Sequence, residues 1–249
     1  MTTTIAIAGK GGTGKTTLAA LLVRYLVRHN MGKVLAIDAD PSSNLHLVLG
    51  LPLTQTVGDI REDARLELHP GMSRQEWLDY AVRMAVEEGD DFDLLAMGRP
   101  EGQGCYCAAN HMLRTIIDSI NSGYDYVVMD NEAGMEHLSR RTTRDVDHLL
   151  LVSDPTLRGL VAAEAMAALS KELEINVRQV HLVINRVQGD LPPALRQKAE
   201  QIGVPLLATL PHDPLLAEFD SQGRPLVELP DDAPISRAVA AIAQKLLAT

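Results

Sequence analysis

The chain has 249 residues, 46% of them hydrophobic and 22% charged, which is enough for one α/β domain with a sizeable core. A net charge of −10 and an aromatic content of 3% argue against a basic surface or a base-stacking platform, and so against a general nucleic-acid binder. No apolar run is long enough to cross a membrane, and the opening Ile5-Ala6-Ile7-Ala8 reads as a strand with no signal peptide before it.

Short apolar, β-branched runs alternate with longer helical patterns. Expected strands are Thr4–Ala8, Val34–Asp38, Phe92–Met97, Tyr126–Asp130, His148–Val152, Val180–Ile184 and Leu206–Leu210. Expected helices are Lys15–Asn30, Ser73–Glu88, His111–Asn121, Leu157–Leu173, Leu195–Gln201 and Pro234–Leu247. Nearly continuous apolar strands suit burial on both faces. The alternation predicts an α/β fold, a mostly parallel central sheet with helices on both faces, in a single domain over 1–249. Leu51–Gly71 is mixed and polar, and Gly98–Gly104 is a loop by composition.

Residues 9 to 17 read Gly-Lys-Gly-Gly-Thr-Gly-Lys-Thr-Thr, between the first strand and the first helix. Gly9, Gly14, Lys15 and Thr16 fit the phosphate-loop pattern. Gly9, Gly11, Gly12 and Gly14 let backbone N–H groups, that of Thr13 included, turn toward phosphate oxygens, and the helix adds its positive end. All five are expected to bind the nucleotide. Lys15 is expected on the β- and γ-phosphates of ATP, Thr16 on Mg2+, and Thr17 on the α-phosphate.

Lys10 is a second lysine in the loop. The loop resembles the deviant Walker A of the MinD-type ATPases, which include the nitrogenase iron protein, partition proteins and metallocentre maturation ATPases. The resemblance implies that Lys10 acts in trans, across a homodimer, on the partner's phosphates. It further implies that Asp40, in Asp38-Ala39-Asp40-Pro41-Ser42-Ser43-Asn44, orients or deprotonates the attacking water, with Asp38 near the magnesium shell. Helix capping and turn chemistry also suit that segment. Asp130 is expected to hold magnesium, with Asn131-Glu132-Ala133-Gly134 as a second switch whose Gly134 senses the γ-phosphate. Asn185 and Arg186 fall where the family reads adenine, and Pro211, His212 and Asp213 where it closes over base and ribose.

Gly104-Cys105-Tyr106-Cys107 is the second informative feature. A disulfide at that spacing is strained, and a reducing cytoplasm suits two free thiols. Zn2+ or a similar ion wants about four soft ligands. One chain supplies two thiolates and a twofold dimer four, so the spacing suggests a metal shared across a symmetric interface. His111 is an alternative ligand, and two reduced, packed thiols are the plain alternative. With its flanks Met97–Gly102 and Asp130–Arg141, the pair resembles the nickel-insertion ATPases of carbon monoxide dehydrogenase and acetyl-CoA synthase, the CooC family. Ser153-Asp154-Pro155-Thr156 and Phe219–Leu226 are similar to that family as well. The resemblance implies a cytoplasmic, dimeric ATPase that binds Ni2+ or Zn2+ at Cys105 and Cys107 and loads nickel into a client nickel–iron–sulfur cluster.

Rival readings are a partitioning or positioning ATPase and an iron–sulfur reductase. A DNA-partitioning role wants a basic surface, and a membrane-positioned one wants a basic amphipathic C-terminal helix. Pro234–Thr249 carries only Arg237 and Lys245 as bases, so it is expected to pack on the sheet.

Overall fold

A computed structural model describes residues 2–60, 73, 76, 80, 83–98, 123–133, 145–172 and 176–248. The described strands are β1 (Thr3–Gly9), β2 (Val34–Ala39), β3 (Val86–Glu88), β4 (Asp93–Ala96), β5 (Tyr126–Asn131), β6 (Asp145–Ser153), β7 (Asn176–Val187) and β8 (Leu206–Pro211). They form one sheet in the order β3-β4-β2-β5-β1-β6-β7-β8. Every pairing is parallel except β3 on β4, at the edge. The described helices are α1 (Lys15–Arg28), α2 (Leu45–Leu49), α3 (Leu157–Glu172), α4 (Pro193–Gln201), α5 (Pro214–Gln222) and α6 (Pro234–Leu247).

The strands read as unbroken apolar runs because both faces are covered. On β1, Ile5 and Ile7 join Leu18, Leu22, Val239 and Ile242 under α1 and α6. Ala6 and Ala8 point the other way, into the core of Leu160, Ala163, Leu195 and Ala199 under α3 and α4. The stripe Ile235, Val239, Ile242 and Leu246 on α6 is buried, so that helix spends its apolar face on the sheet. Among the described residues, no helix is long and apolar enough to cross a membrane.

The expected helix Ser73–Glu88 is corrected at its end. Ser73 and Glu76 cap each other reciprocally, the serine hydroxyl accepting from the Glu76 N–H at 3.2 Å and the Glu76 carboxylate from the Ser73 N–H at 2.8 Å. Val86–Glu88 leaves the helix and pairs antiparallel with β4, Val86 lying opposite Leu95. The hydrogen-bonding edge of β4 decides this, and local periodicity does not contain that edge. The helix expected at His111–Asn121 lies outside the described residues.

Candidate nucleotide site at the strand ends

The order of the sheet brings the chemistry together. β1 lies between β5 and β6, so the chain winds away from it in both directions, and such a switch point opens a crevice at the carboxyl ends of the strands. Gly9 ends β1 opposite Val152, and Asp38 on β2 lies in register with Asp130 on β5.

The four glycines of the loop are not equivalent. Two are fixed by close approach. A Cβ on Gly9 would stand 2.3 Å from the carbonyl oxygen of Val152. Gly14 has φ +91°, and a Cβ there would stand 2.3 Å from Asn185 Nδ2. Gly12 is set by backbone conformation alone: its φ is +79°, and among the described residues a Cβ there would meet nothing within 4 Å. Gly11 is held by neither constraint. A Cβ on it would touch the Ala133 Cβ at 3.8 Å, an ordinary contact, so nothing among the described residues demands a glycine at 11.

The Thr13 hydroxyl donates to the carbonyl oxygen of Lys10 at 2.9 Å, closing the turn. Lys15 is buried, with Nζ 3.5 Å from the same carbonyl. α1 starts at Lys15, so its unpaired N–H groups and positive end face the loop. Lys10 is exposed, and among the described residues its ammonium makes no ion pair.

The acids form a buried group. Thr16 donates its hydroxyl to Asp130 Oδ2 at 2.5 Å, while Asp130 Oδ1 is buried with no hydrogen-bond partner among the described residues. Burial pushes Asp130 up to about 6 and the nearby Asp40 adds to the rise, against the Thr16 hydroxyl and the charge of Lys15. Burial pushes Asp38 up to about 7, with Asp130 and Asp40 adding to the rise. Asp38 Oδ2 accepts from the Leu45 N–H at 2.8 Å and Oδ1 from the Asp40 N–H at 3.1 Å. Asp38 therefore holds the segment that carries Asp40. Asp40 is half-buried, and its Oδ1 accepts from the Ser42 N–H at 2.8 Å.

Hard oxygen donors, a buried unpaired carboxylate oxygen and two carboxyls that resist ionisation fit a Mg2+ ion. Thr16 and Asp130, whose side chains meet there, would hold it. The fit has a consequence for stability. Both acids have folded pKa values above their ordinary 3.8, so their stabilisation is present below that value and is lost as pH rises through about 6 to 7. Ion-free protein is expected to lose melting temperature over that window. Magnesium with ADP is expected to restore it, with the largest gain at the top of the window. Melting curves from pH 4 to pH 8, with and without Mg-ADP, check this; a gain independent of pH contradicts it.

The late segments meet, but two of their side chains are committed within the fold. Val187 lies opposite Pro211, and the His212 N–H donates to the Val187 carbonyl at 2.9 Å, so Asn185–Arg186 and Pro211–Asp213 sit side by side. Asn185 is buried; its Nδ2 donates to the Thr13 carbonyl at 2.8 Å, and its Oδ1 accepts from the Arg186 N–H at 2.8 Å. Arg186 stands at φ +60° to make that contact. Asn185 thus braces the phosphate loop, a role the sequence did not show, although an amide ending the apolar run Val180–Ile184 was a signal for it. Asp213 is buried, accepting from the Leu215 N–H at 3.0 Å through Oδ1 and from the Ile235 N–H at 3.0 Å through Oδ2. It caps α5 and ties the start of α6 to it. Cys105, Cys107, His111 and Gly134 lie outside the described residues.

A family model described as the CobQ/CobB/MinD/ParA nucleotide binding domain matches residues 4–226. An uncharacterized ATP-binding protein of Methanocaldococcus jannaschii is 40% identical over 248 residues, covering 98% of each chain. The carbon monoxide dehydrogenase accessory protein CooC of Rhodospirillum rubrum is 29% identical over 240 residues, covering 88% of this chain and 87% of that one. Among solved structures, the septum site-determining protein MinD of Pyrococcus horikoshii, complexed with Mg-ADP, superposes with a TM-score of 0.73 at 25% identity, covering 99% of this chain and 96% of that one.

Proposed function

The chain belongs to the CobQ/CobB/MinD/ParA nucleotide-binding family, and from that premise we propose that it is an ATPase whose cycle, run by a homodimer, delivers nickel to a carbon monoxide dehydrogenase or acetyl-CoA synthase. The observation that carries the nickel reading is the Cys105-Tyr106-Cys107 pair, in a chain 29% identical to CooC over most of its length. ATP is the nucleotide, in keeping with the ATP-binding relative at 40% identity.

In this reading Lys15 and the loop N–H groups, from Gly11 and Gly12 through Thr17, neutralise the phosphates, and Thr16 and Asp130 hold Mg2+. The bound ion supplies charge that stabilises the departing phosphate oxygens. Asp38 fixes the loop so that Asp40 faces the attacking water and positions or accepts its proton. Exposed Lys10 reaches the partner's phosphates, so two chains complete two sites. Asn185 braces the loop through the Thr13 carbonyl. Arg186 and the backbone of Pro211–Asp213 face the base. Cys105 and Cys107 of both protomers enclose one Ni2+ or Zn2+, the nickel being cargo.

A second reading, a MinD- or ParA-type positioning ATPase, has equal support from the fold, which is that of MinD at a TM-score of 0.73. Metal separates the two. Purified dimer is expected to hold one metal ion per two chains by elemental analysis. Cys105→Ser/Cys107→Ser is expected to hold none, because hydroxyls are poor ligands for such ions at neutral pH. That double variant should still bind ATP. Metal retained at the wild-type level removes the cysteine site, and wild-type dimers free of metal favour the positioning reading.

A further inference from the structure

A cavity of about 540 Å³ lies on the far part of α1, between its last two turns, the first turns of α6 and the turn before them. Arg24, Arg28 and Arg237 line it with His29, Asp231 and Ser236, and none of these belongs to the nucleotide site. Arg24 lies nine residues beyond Lys15, about 13 Å along the helix.

Its electrostatics run against those of the chain. Three arginines against one aspartate leave the cavity cationic in a protein of net charge −10. Arg24 is 6% exposed and is fixed by the carbonyl oxygens of Leu229 and Val227 and by Asp231 Oδ1 at 2.5 Å. Arg28 takes the other oxygen of the same carboxylate at 2.9 Å. Asp231 itself is 68% exposed, so an anion from solution competes with it on accessible ground. Arg237 is exposed and makes no ion pair among the described residues.

Ser236 is the independent sign of a ligand. It is 6% exposed, lines the cavity and has a hydroxyl with no hydrogen-bond partner among the described residues. A buried donor without an acceptor loses its hydration for nothing in return. It sits in the first turn of α6, where the helix dipole also favours negative charge. The ring of His29, stacked on Tyr25 at 4.0 Å between centroids, adds a flat wall.

We propose that this cavity binds a small molecule through a phosphate or carboxylate group, held by Arg28, Arg237 and the Ser236 hydroxyl, with Asp231 standing in its place when it is absent. The volume is that of small-molecule sites. Paired guanidinium groups give such oxyanions two parallel hydrogen bonds, which lysines do not.

The test uses the full chain with its phosphate loop saturated by Mg-ADP. Inorganic phosphate and citrate are titrated in, and binding is followed by calorimetry. One further saturable site per chain is expected for at least one of them. Arg28→Ala/Arg237→Ala should weaken it by about tenfold or more, and Ser236→Ala by several-fold. Asp231→Asn should tighten it. ADP affinity, unchanged in all of them, reports that the fold survives. Sedimentation with phosphatidylglycerol vesicles identifies the source: pelleting abolished by the arginine pair assigns the same site to a lipid headgroup. Binding of neither soluble anions nor vesicles, or binding indifferent to these substitutions, overturns the proposal.

Discussion

Replacing Lys15 by alanine is expected to lower ATP turnover by roughly 10³-fold. The ammonium is buried beside the loop, where its charge is worth far more than in water. No other described lysine lines the loop from within, since Lys10 is exposed. Loss should fall on the chemical step and on nucleotide affinity together, because in the proposed role Lys15 would meet phosphates in both ground and transition states. Mixing Lys15→Ala chains with Lys10→Ala chains extends the result. One site of such a mixed dimer keeps both lysines, so partial recovery of turnover is expected. Mixed dimers that are proven to form and yet stay inactive count against action in trans.

Asp40→Ala is expected to bind ATP nearly as well as the wild type but to cleave it roughly 10²- to 10⁴-fold more slowly, the range for loss of a positioned acid–base group. The segment stays anchored in that variant, because Asp38 takes the backbone N–H groups of residues 40 and 45 and not the Asp40 side chain. Single-turnover cleavage and nucleotide affinity, measured separately, check this. Cleavage at the wild-type rate removes the water-positioning role. Matched losses in both quantities would make Asp40 a residue of nucleotide binding instead.

What was legible in the sequence followed from local chemistry. The apolar runs ending at Ala8, Asp38 and Asp130 read as buried parallel strands, and the glycine–lysine spacing placed a phosphate loop on the first of them. Spacing did not rank the loop's glycines, however: Gly9 and Gly14 are demanded by Val152 and Asn185, far along the chain, while Gly11 is demanded by nothing in the described fold. β3 was not legible, because Glu87 and Glu88 lack the apolar character of a strand and their partner, β4, is a tertiary neighbour. α5 was missed because Pro214 and the charged Glu218 and Asp220 disguise it, although Asp213 before Pro214 is a helix-start signature. Asn185 and Asp213 were singled out by the family resemblance as nucleotide contacts, but their partners within the fold could not be read. Asn185 meets Thr13 172 residues away, and Asp213 reaches Ile235 22 residues on, at the start of α6. Long-range hydrogen bonds decide what such side chains do, and spacing along the chain holds no record of them.

The proposed coupling of ATP hydrolysis at the strand ends to a metal at Cys105 and Cys107 must be reciprocal. The direct measurement is equilibrium dialysis of the wild-type protein against Ni2+, with and without a non-hydrolysable ATP analogue. The account predicts a nucleotide-dependent change in nickel affinity of about fivefold or more, and an equal change in nucleotide affinity on adding nickel. Equal nickel affinity in both states contradicts the claim that the ATP cycle drives delivery.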